Sequence, residues 1–221
     1  MRISPHIVSD VMTHTVVAVG RDASFKDLVE LLQEWKVSAL PVLEGEGRVI
    51  GVVSEADLLL KEEFRDSDPD RATQMRRLSD LSKAGGMTAA DVMSSPAVTV
   101  HPDATLAQAA RIMAQRNVKR LPVVNGEGLL EGVVSRADLL KVFMRADDEI
   151  AEEIRQEIIV PLFPAPPEPV QVRVADGVVT LTGRVRDTSL VPIVARLVRS
   201  VEGVVDVDLA LSGGVRVREP G

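Results

Sequence analysis

Residues 37–59 read VSALPVLEGEGRVIGVVSEADLL, and residues 118–140 read VKRLPVVNGEGLLEGVVSRADLL. The offset between them is 81 positions (118 − 37 = 81). The same offset holds upstream. It aligns Asp10-Val11-Met12 with Asp91-Val92-Met93, and Asp22-Ala23 with Asp103-Ala104. No gap is needed between Asp10 and Leu59, so one supersecondary unit is present twice.

Each copy has the same local grammar. A short strand comes first, carried by Val16, Val17 and Val19 in one copy and by Val98 and Val100 in the other. Ser24 or Thr105 then stands as a helix N-cap, its oxygen able to take an orphan amide of the first turn. Apolar residues follow at helical spacing: Phe25, Leu28, Leu31, Leu32 and Trp35, then Leu106, Ala109, Ile112 and Met113. A strand (39–43 or 120–124), a Gly-Glu-Gly turn and another strand (49–53 or 129–134) come next. The copy closes with a helix opening at Ser54 or Ser135. The order is β-α-β-β-α.

This order, with the Leu-Pro-Val strands and the Gly-Val-Val-Ser-x-x-Asp-Leu-Leu segments, resembles the CBS domain. Two tandem copies resemble a Bateman module. The expected boundaries are 5–62 for the first copy, 63–88 for a polar linker and 89–145 for the second copy. The linker region carries balanced charge, and residues 71–81 are expected to form a polar helix broken by Gly85-Gly86.

The pattern changes after Ala146. Ile150, Ile154 and Ile158 share one helical face. Prolines at 161, 164, 166 and 167 are expected to end that helix. Val170, Val172 and Val174 alternate as in a half-buried strand, and Asp176-Gly177 marks a hairpin. A returning strand, a helix over 190–201 with Gly203 at C′, and an alternating strand from Val205 complete an α-β-β-α-β order. The residues Val172–Val185 and Val201–Val207 resemble the BON domain. Its expected span is 147–213, with a Pro-rich insertion at 161–169 and a tail at 214–221. The fold class is therefore α/β: two CBS-like repeats forming one pseudo-symmetric module, plus a small BON-like domain.

Composition removes several function classes. With no Cys among 221 residues, disulfides, thiol nucleophiles and Cys-type metal sites are excluded. The three His are not paired at metal-ligand spacing, and no nucleophile–His–Asp set is present. The reading is therefore not an enzyme, with no required cofactor and no metal. Net charge is −7 and aromatics are 2%, which disfavours nucleic acid as a partner. No apolar run is long enough for a membrane span, and the expected location is the cytoplasm.

The strongest candidates for chemistry are Ser54 with Asp57 and Ser135 with Asp138. At a helix start, a Ser hydroxyl and backbone amides can face an anion. An Asp three residues on lies on the same face, where its carboxylate can accept ribose hydroxyls. A capping role with an exposed Asp is the alternative. The CBS resemblance implies two related sites in the cleft between the copies, each drawing on both. One would join Asp138 and Ser135 to Thr15, Val17, Val37, Ser38 and Ala39. The other would join Asp57 and Ser54 to Pro96, Val98, Val118 and Lys119. Lys119-Arg120 replaces Ser38-Ala39 of the first copy, and such a pair can neutralise phosphates.

The implied ligand is AMP, ADP, ATP or another adenosyl compound, sensed for regulation. The resemblance also implies a homodimer through the CBS helices. The BON resemblance implies a protein or phospholipid partner. From Glu168 to Gly221 seven Arg stand against seven acids, which favours protein. A ligand-free dimerising scaffold is the alternative to ligand sensing.

Overall fold

The computed structural model describes residues 6–65, 77–164 and 169–213. Two compact units divide at Leu139/Leu140.

In the first unit, α1 (Val8–Val11), β1 (Val19–Gly20), α2 (Phe25–Glu34), β2 (Ala39–Glu44), β3 (Arg48–Ser54) and α3 (Glu55–Glu63) form the first copy. The linker contributes α4 (Leu78–Ala84). The second copy has α5 (Ala89–Val92), α6 (Leu106–Gln115), β4 (Arg120–Val124), β5 (Leu130–Ser135) and α7 (Arg136–Leu139). The one-turn helices α1 and α5 precede the expected β-α-β-β-α order. They are closed by Asp10 and Asp91, whose carboxylates accept the Ile7 and Thr88 amides at 2.9 Å. The expected caps of α2 and α6 are present: the Ser24 and Thr105 hydroxyls accept amides of Asp27 and Gln108, each at 3.2 Å.

The first strand is shorter than its valines suggest. Only Val19 and Gly20 pair, in parallel with Val42 and Leu43, and Val16 and Val17 lie outside the ladder. In the second copy the same place holds a single parallel bridge, Val100 to Val123. The antiparallel β2–β3 and β4–β5 pairs each slip register at the same repeat position, after Val42 and after Val123. Burial follows the sequence pattern. Leu28, Leu40, Val42 and Val53 are sealed in the first copy, and Met113, Leu121, Val123 and Val134 in the second. Removing such side chains from water stabilises by about 1.5–3 kcal/mol each.

The copies are interlaced by contacts that occur twice. Thr13 pairs with Val133, and Ser94 pairs with Val52, each by two backbone hydrogen bonds of 2.9–3.1 Å. Val8 donates to the Ala104 carbonyl and Ala89 to the Ala23 carbonyl, at 2.8 and 2.9 Å. Arg48 bridges Leu129, its own repeat equivalent. This reciprocity is the pseudo-two-fold of the module. It also explains two glycines. A Cβ on Gly132 would meet Met12 Sδ at 2.7 Å and the Thr13 carbonyl oxygen at 2.9 Å, and a Cβ on Gly51 would collide with Met93.

A linker helix covers Leu78–Ala84 and ends at Gly85; the part of the expected helix over 71–76 lies outside the described residues. The second copy's closing helix is one turn, and a 3-10 segment, Leu140–Met144, belongs to the second unit. Arg145 holds the segment there, donating to the Glu202 carbonyl at 2.8 Å and to Glu153 at 2.7 Å.

In the second unit α8 (Asp147–Glu153) runs on through a π-helical stretch, Ile154–Ile159, and a last turn, Val160–Leu162. The helix therefore passes the proline expected to stop it. The widened π turn, with Val160 N–H on the Arg155 carbonyl, leaves room for Pro161, which has no amide to place. Strands β6 (Gln171–Ala175), β7 (Val178–Val185) and β8 (Asp206–Gly213) form one sheet in that order, and α9 (Val191–Arg199) packs on it. Asp176 and Gly177 have φ of +52° and +73°, as the tight hairpin requires. Helix α9 ends at Ser200, so Gly203 is not its C′ residue; it sits in the next turn at φ +93°.

Candidate functional site

Both Ser-x-x-Asp turns stand where an antiparallel strand pair ends and a helix begins. In the first, Asp57 Oδ2 accepts the Ser54 amide at 2.9 Å and the Ser54 hydroxyl at 2.6 Å. In the second, Asp138 Oδ2 accepts the Ser135 amide at 2.9 Å and its hydroxyl at 2.6 Å. The serine hydroxyls thus donate to the carboxylates of their own turns. The aspartates are half-buried capping-box members, not exposed ones. Each carboxylate is locked in one orientation by its own turn. A fixed charged acceptor is what a ribose diol requires, and the capping and binding roles are compatible.

The neighbours come partly from the same copy. Ala39 is in register with Ser54, and the Ser38 carbonyl accepts the Glu55 amide at 3.1 Å. Val37 closes the end of α2 through its amide on Leu32. Likewise Arg120 is in register with Ser135, and the Lys119 carbonyl accepts the Arg136 amide at 3.1 Å. Val118 closes the end of α6 on Met113, and its carbonyl accepts from the Arg136 guanidinium at 3.1 Å.

Cross-copy neighbours arrive by the interlaced leads. Ser94, on the lead of the second copy, brings its hydroxyl to 3.3 Å from Asp57 Oδ1. Ser95 donates to the Ile50 carbonyl at 2.9 Å, ahead of exposed Pro96 and half-buried Val98. On the first lead, Thr13 pairs with Val133 two residues before Ser135; exposed Thr15 and half-buried Val17 follow. The hydrogen bonds therefore join Val37–Ala39 and Val118–Arg120 to the turns of their own copies. No side-chain hydrogen bond or ion pair ties Lys119 or Arg120 to another described residue.

The two turns differ in charge. Lys119, Arg120 and Arg136 gather around Ser135, where the first copy has Ser38, Ala39 and Glu55. Two further participants were not legible in the sequence: Ser94, and Lys83 of the linker, whose ammonium donates to Asp57 Oδ1 and to Ser94 Oγ, the latter at 2.8 Å. Ser94 is the repeat equivalent of Thr13, and two hydroxyl residues at that position were the available signal. For Lys83 no local signal exists.

Known proteins agree with this architecture. The family model for the CBS domain matches residues 8–62 and 89–145, and the model for the BON domain matches residues 146–212. An uncharacterized protein of Methanocaldococcus jannaschii is 30% identical over 154 residues, 62% of this chain and 91% of its own. The chloroplastic CBS domain-containing protein CBSX2 of Arabidopsis thaliana is 30% identical over 157 residues, 65% of this chain and 66% of its own. A crystal structure of CBSX2 in complex with AMP matches with a TM-score of 0.56 at 32% identity, covering 63% of this chain and 97% of that one. The CBS pair of protein MJ0100, in complex with 5′-methylthioadenosine and S-adenosylmethionine, matches with a TM-score of 0.50 at 18% identity, a likeness of fold. The chain belongs to the CBS-domain family, as a tandem CBS pair followed by a BON domain.

Proposed function

We propose that the CBS pair is the sensing half of a regulatory protein. It binds AMP, ADP, ATP or another adenosyl compound between the copies, and occupancy is relayed to the BON module or to a partner protein. The doubled Ser-x-x-Asp turn carries this reading, because both carboxylates are held in the same fixed orientation. One site would use Asp138 and Ser135 with Thr15, Val17, Val37, Ser38 and Ala39. The other would use Asp57 and Ser54 with Pro96, Val98, Val118 and Lys119. Arg120 and Lys119 would meet phosphates. The relative CBSX2, which binds AMP, supports the ligand class. A ligand shifts the packing of the copies only by its differential affinity for two states, so binding and response must be measured separately.

The same reading includes a homodimer. The apolar residues of α2 and α3 are partly core, since Leu28, Leu32 and Leu58 are buried. Trp35 and Leu59 remain 53% and 64% exposed, and Phe25, Val29 and Leu59 line a groove of about 500 Å³. This exposed apolar face is where the proposed second copy would pack. For the BON module we favour a protein partner over phospholipid. Thermal shift followed by equilibrium dialysis with AMP, ADP, ATP, NAD and S-adenosylmethionine tests the proposal. Saturable binding of at least one adenosyl compound is expected. Binding of none would leave the ligand-free dimerising scaffold.

A further inference from the structure

The linker between the copies reaches into the first site. Helix α4 lies along α3 in the opposite direction, tied at both ends. At one end the Arg77 guanidinium holds both carboxylate oxygens of Glu63, stacks over the Phe64 ring at 4.7 Å, and reaches Asp80 at 2.8 Å. Contact with Arg77 holds the Glu63 carboxyl below its ordinary range. At the other end Lys83 meets Asp57. Its ammonium bridges Asp57 Oδ1 and Ser94 Oγ, and both charged side chains are largely covered, at 17% and 13% exposure. Asp57 Oδ2 already accepts two donors from Ser54. Both oxygens of the first site's carboxylate are thus engaged by the chain itself.

We propose that Lys83 is an intramolecular competitor for the Asp57 site. A nucleoside whose ribose hydroxyls bind Asp57 must displace the ammonium, and displacement releases the C-terminal end of α4 from α3. The linker helix then reports occupancy of the first site. This inference rests on the ligand reading above, and deepens it by naming the element that responds.

The test uses the full chain and adenosine, which has no phosphate to recruit the freed lysine. Calorimetry is run on Asp138→Ala, which keeps only the first site, and on Asp138→Ala/Lys83→Met. Removing the competitor is expected to tighten adenosine by about tenfold, the lower end for a charge-assisted hydrogen bond once partial exposure is discounted. Lys83→Gln, with urea midpoints read from Trp35 fluorescence, guards against a folding artefact. Hydrogen exchange supplies a second readout. In Asp138→Ala, adenosine should speed exchange of the amides of residues 78–84. With Lys83→Met exchange should already be fast, and adenosine should leave it unchanged. Unchanged or weakened binding in both Lys83 variants, or slower exchange on adding adenosine, overturns the competitor role. If the wild type binds adenosine while the Lys83 variants gain nothing, that role alone falls. If no form binds adenosine, the competitor role falls with the ligand reading.

Discussion

Gly132→Ala tests whether the interlacing of the copies is the main brace of the CBS pair. The new methyl would lie 2.7 Å from Met12 Sδ and 2.9 Å from the Thr13 carbonyl oxygen. The sulfur ends a flexible side chain and can rotate away. The carbonyl cannot, because Thr13 is held by two backbone hydrogen bonds to Val133, at 2.9 and 3.0 Å. Relief requires the lead to move off β5. Overpacking costs about 1–3 kcal/mol, and weakening the two bonds adds roughly 1 kcal/mol. A loss of about 2–4 kcal/mol follows, or roughly 6–15 °C in melting temperature for a unit of this size. Gly126→Ala is the control, since a Cβ there meets nothing within 4 Å and φ is not positive. Urea unfolding read by fluorescence reports this unit selectively, because Trp35 is the sole tryptophan. A Gly132→Ala midpoint equal to that of Gly126→Ala would mean that the Thr13 lead yields freely and does not brace the copies.

Arg120→Ala should weaken AMP or ATP far more than adenosine and flatten the salt dependence of nucleotide binding; calorimetry at two ionic strengths measures both, and equal losses would remove the phosphate role. The Asp91 carboxyl is held below its ordinary range by the backbone amides of Met87 and Thr88 and by the Thr88 hydroxyl. Its stabilising contribution is therefore full above the ordinary carboxylate range and is lost as pH falls through the lowered folded value. Asp91→Asn should lower the urea midpoint at pH 7 and shallow the acid limb, and an unchanged limb would assign the acid sensitivity to other carboxyls. Trp35→Glu should convert a dimer to a monomer in sizing with light scattering; a wild type that is itself monomeric at micromolar concentration contradicts the dimer face.

The repeat was legible because its evidence is sequential. A gapless offset, two Leu-Pro-Val strands and two Gly-Glu-Gly turns predict paired hairpins, and the ladders match down to the shared register slip. The hydroxyl caps of α2 and α6 were legible for a similar reason, since a cap and its amide lie three residues apart. The rest depends on partners far away in the chain. The leads carrying Thr13 and Ser94 look like loops until their strand partners in the other copy are seen. Ser54 reads as an anion donor until its hydroxyl is found on Asp57. Pro161 reads as a stop because the rule assumes an α turn, and a π turn relaxes it. Lys83 sits in a charge-balanced segment where nothing local marks one cation above another. Its role at Asp57 is created by the packing of α4 on α3.

In the proposed function the two locked carboxylates hold the ribose of an adenosyl ligand. Equilibrium dialysis of AMP against the wild type, Asp57→Ala, Asp138→Ala and the double variant measures the contribution of each carboxylate. Hydrogen bonds to a charged group are worth ~1.5–3 kcal/mol, so each single variant should weaken one class of site by roughly tenfold to a hundredfold and spare the other. The double variant should lose both. AMP binding in the double variant equal to that of the wild type would mean that neither carboxylate holds the ribose.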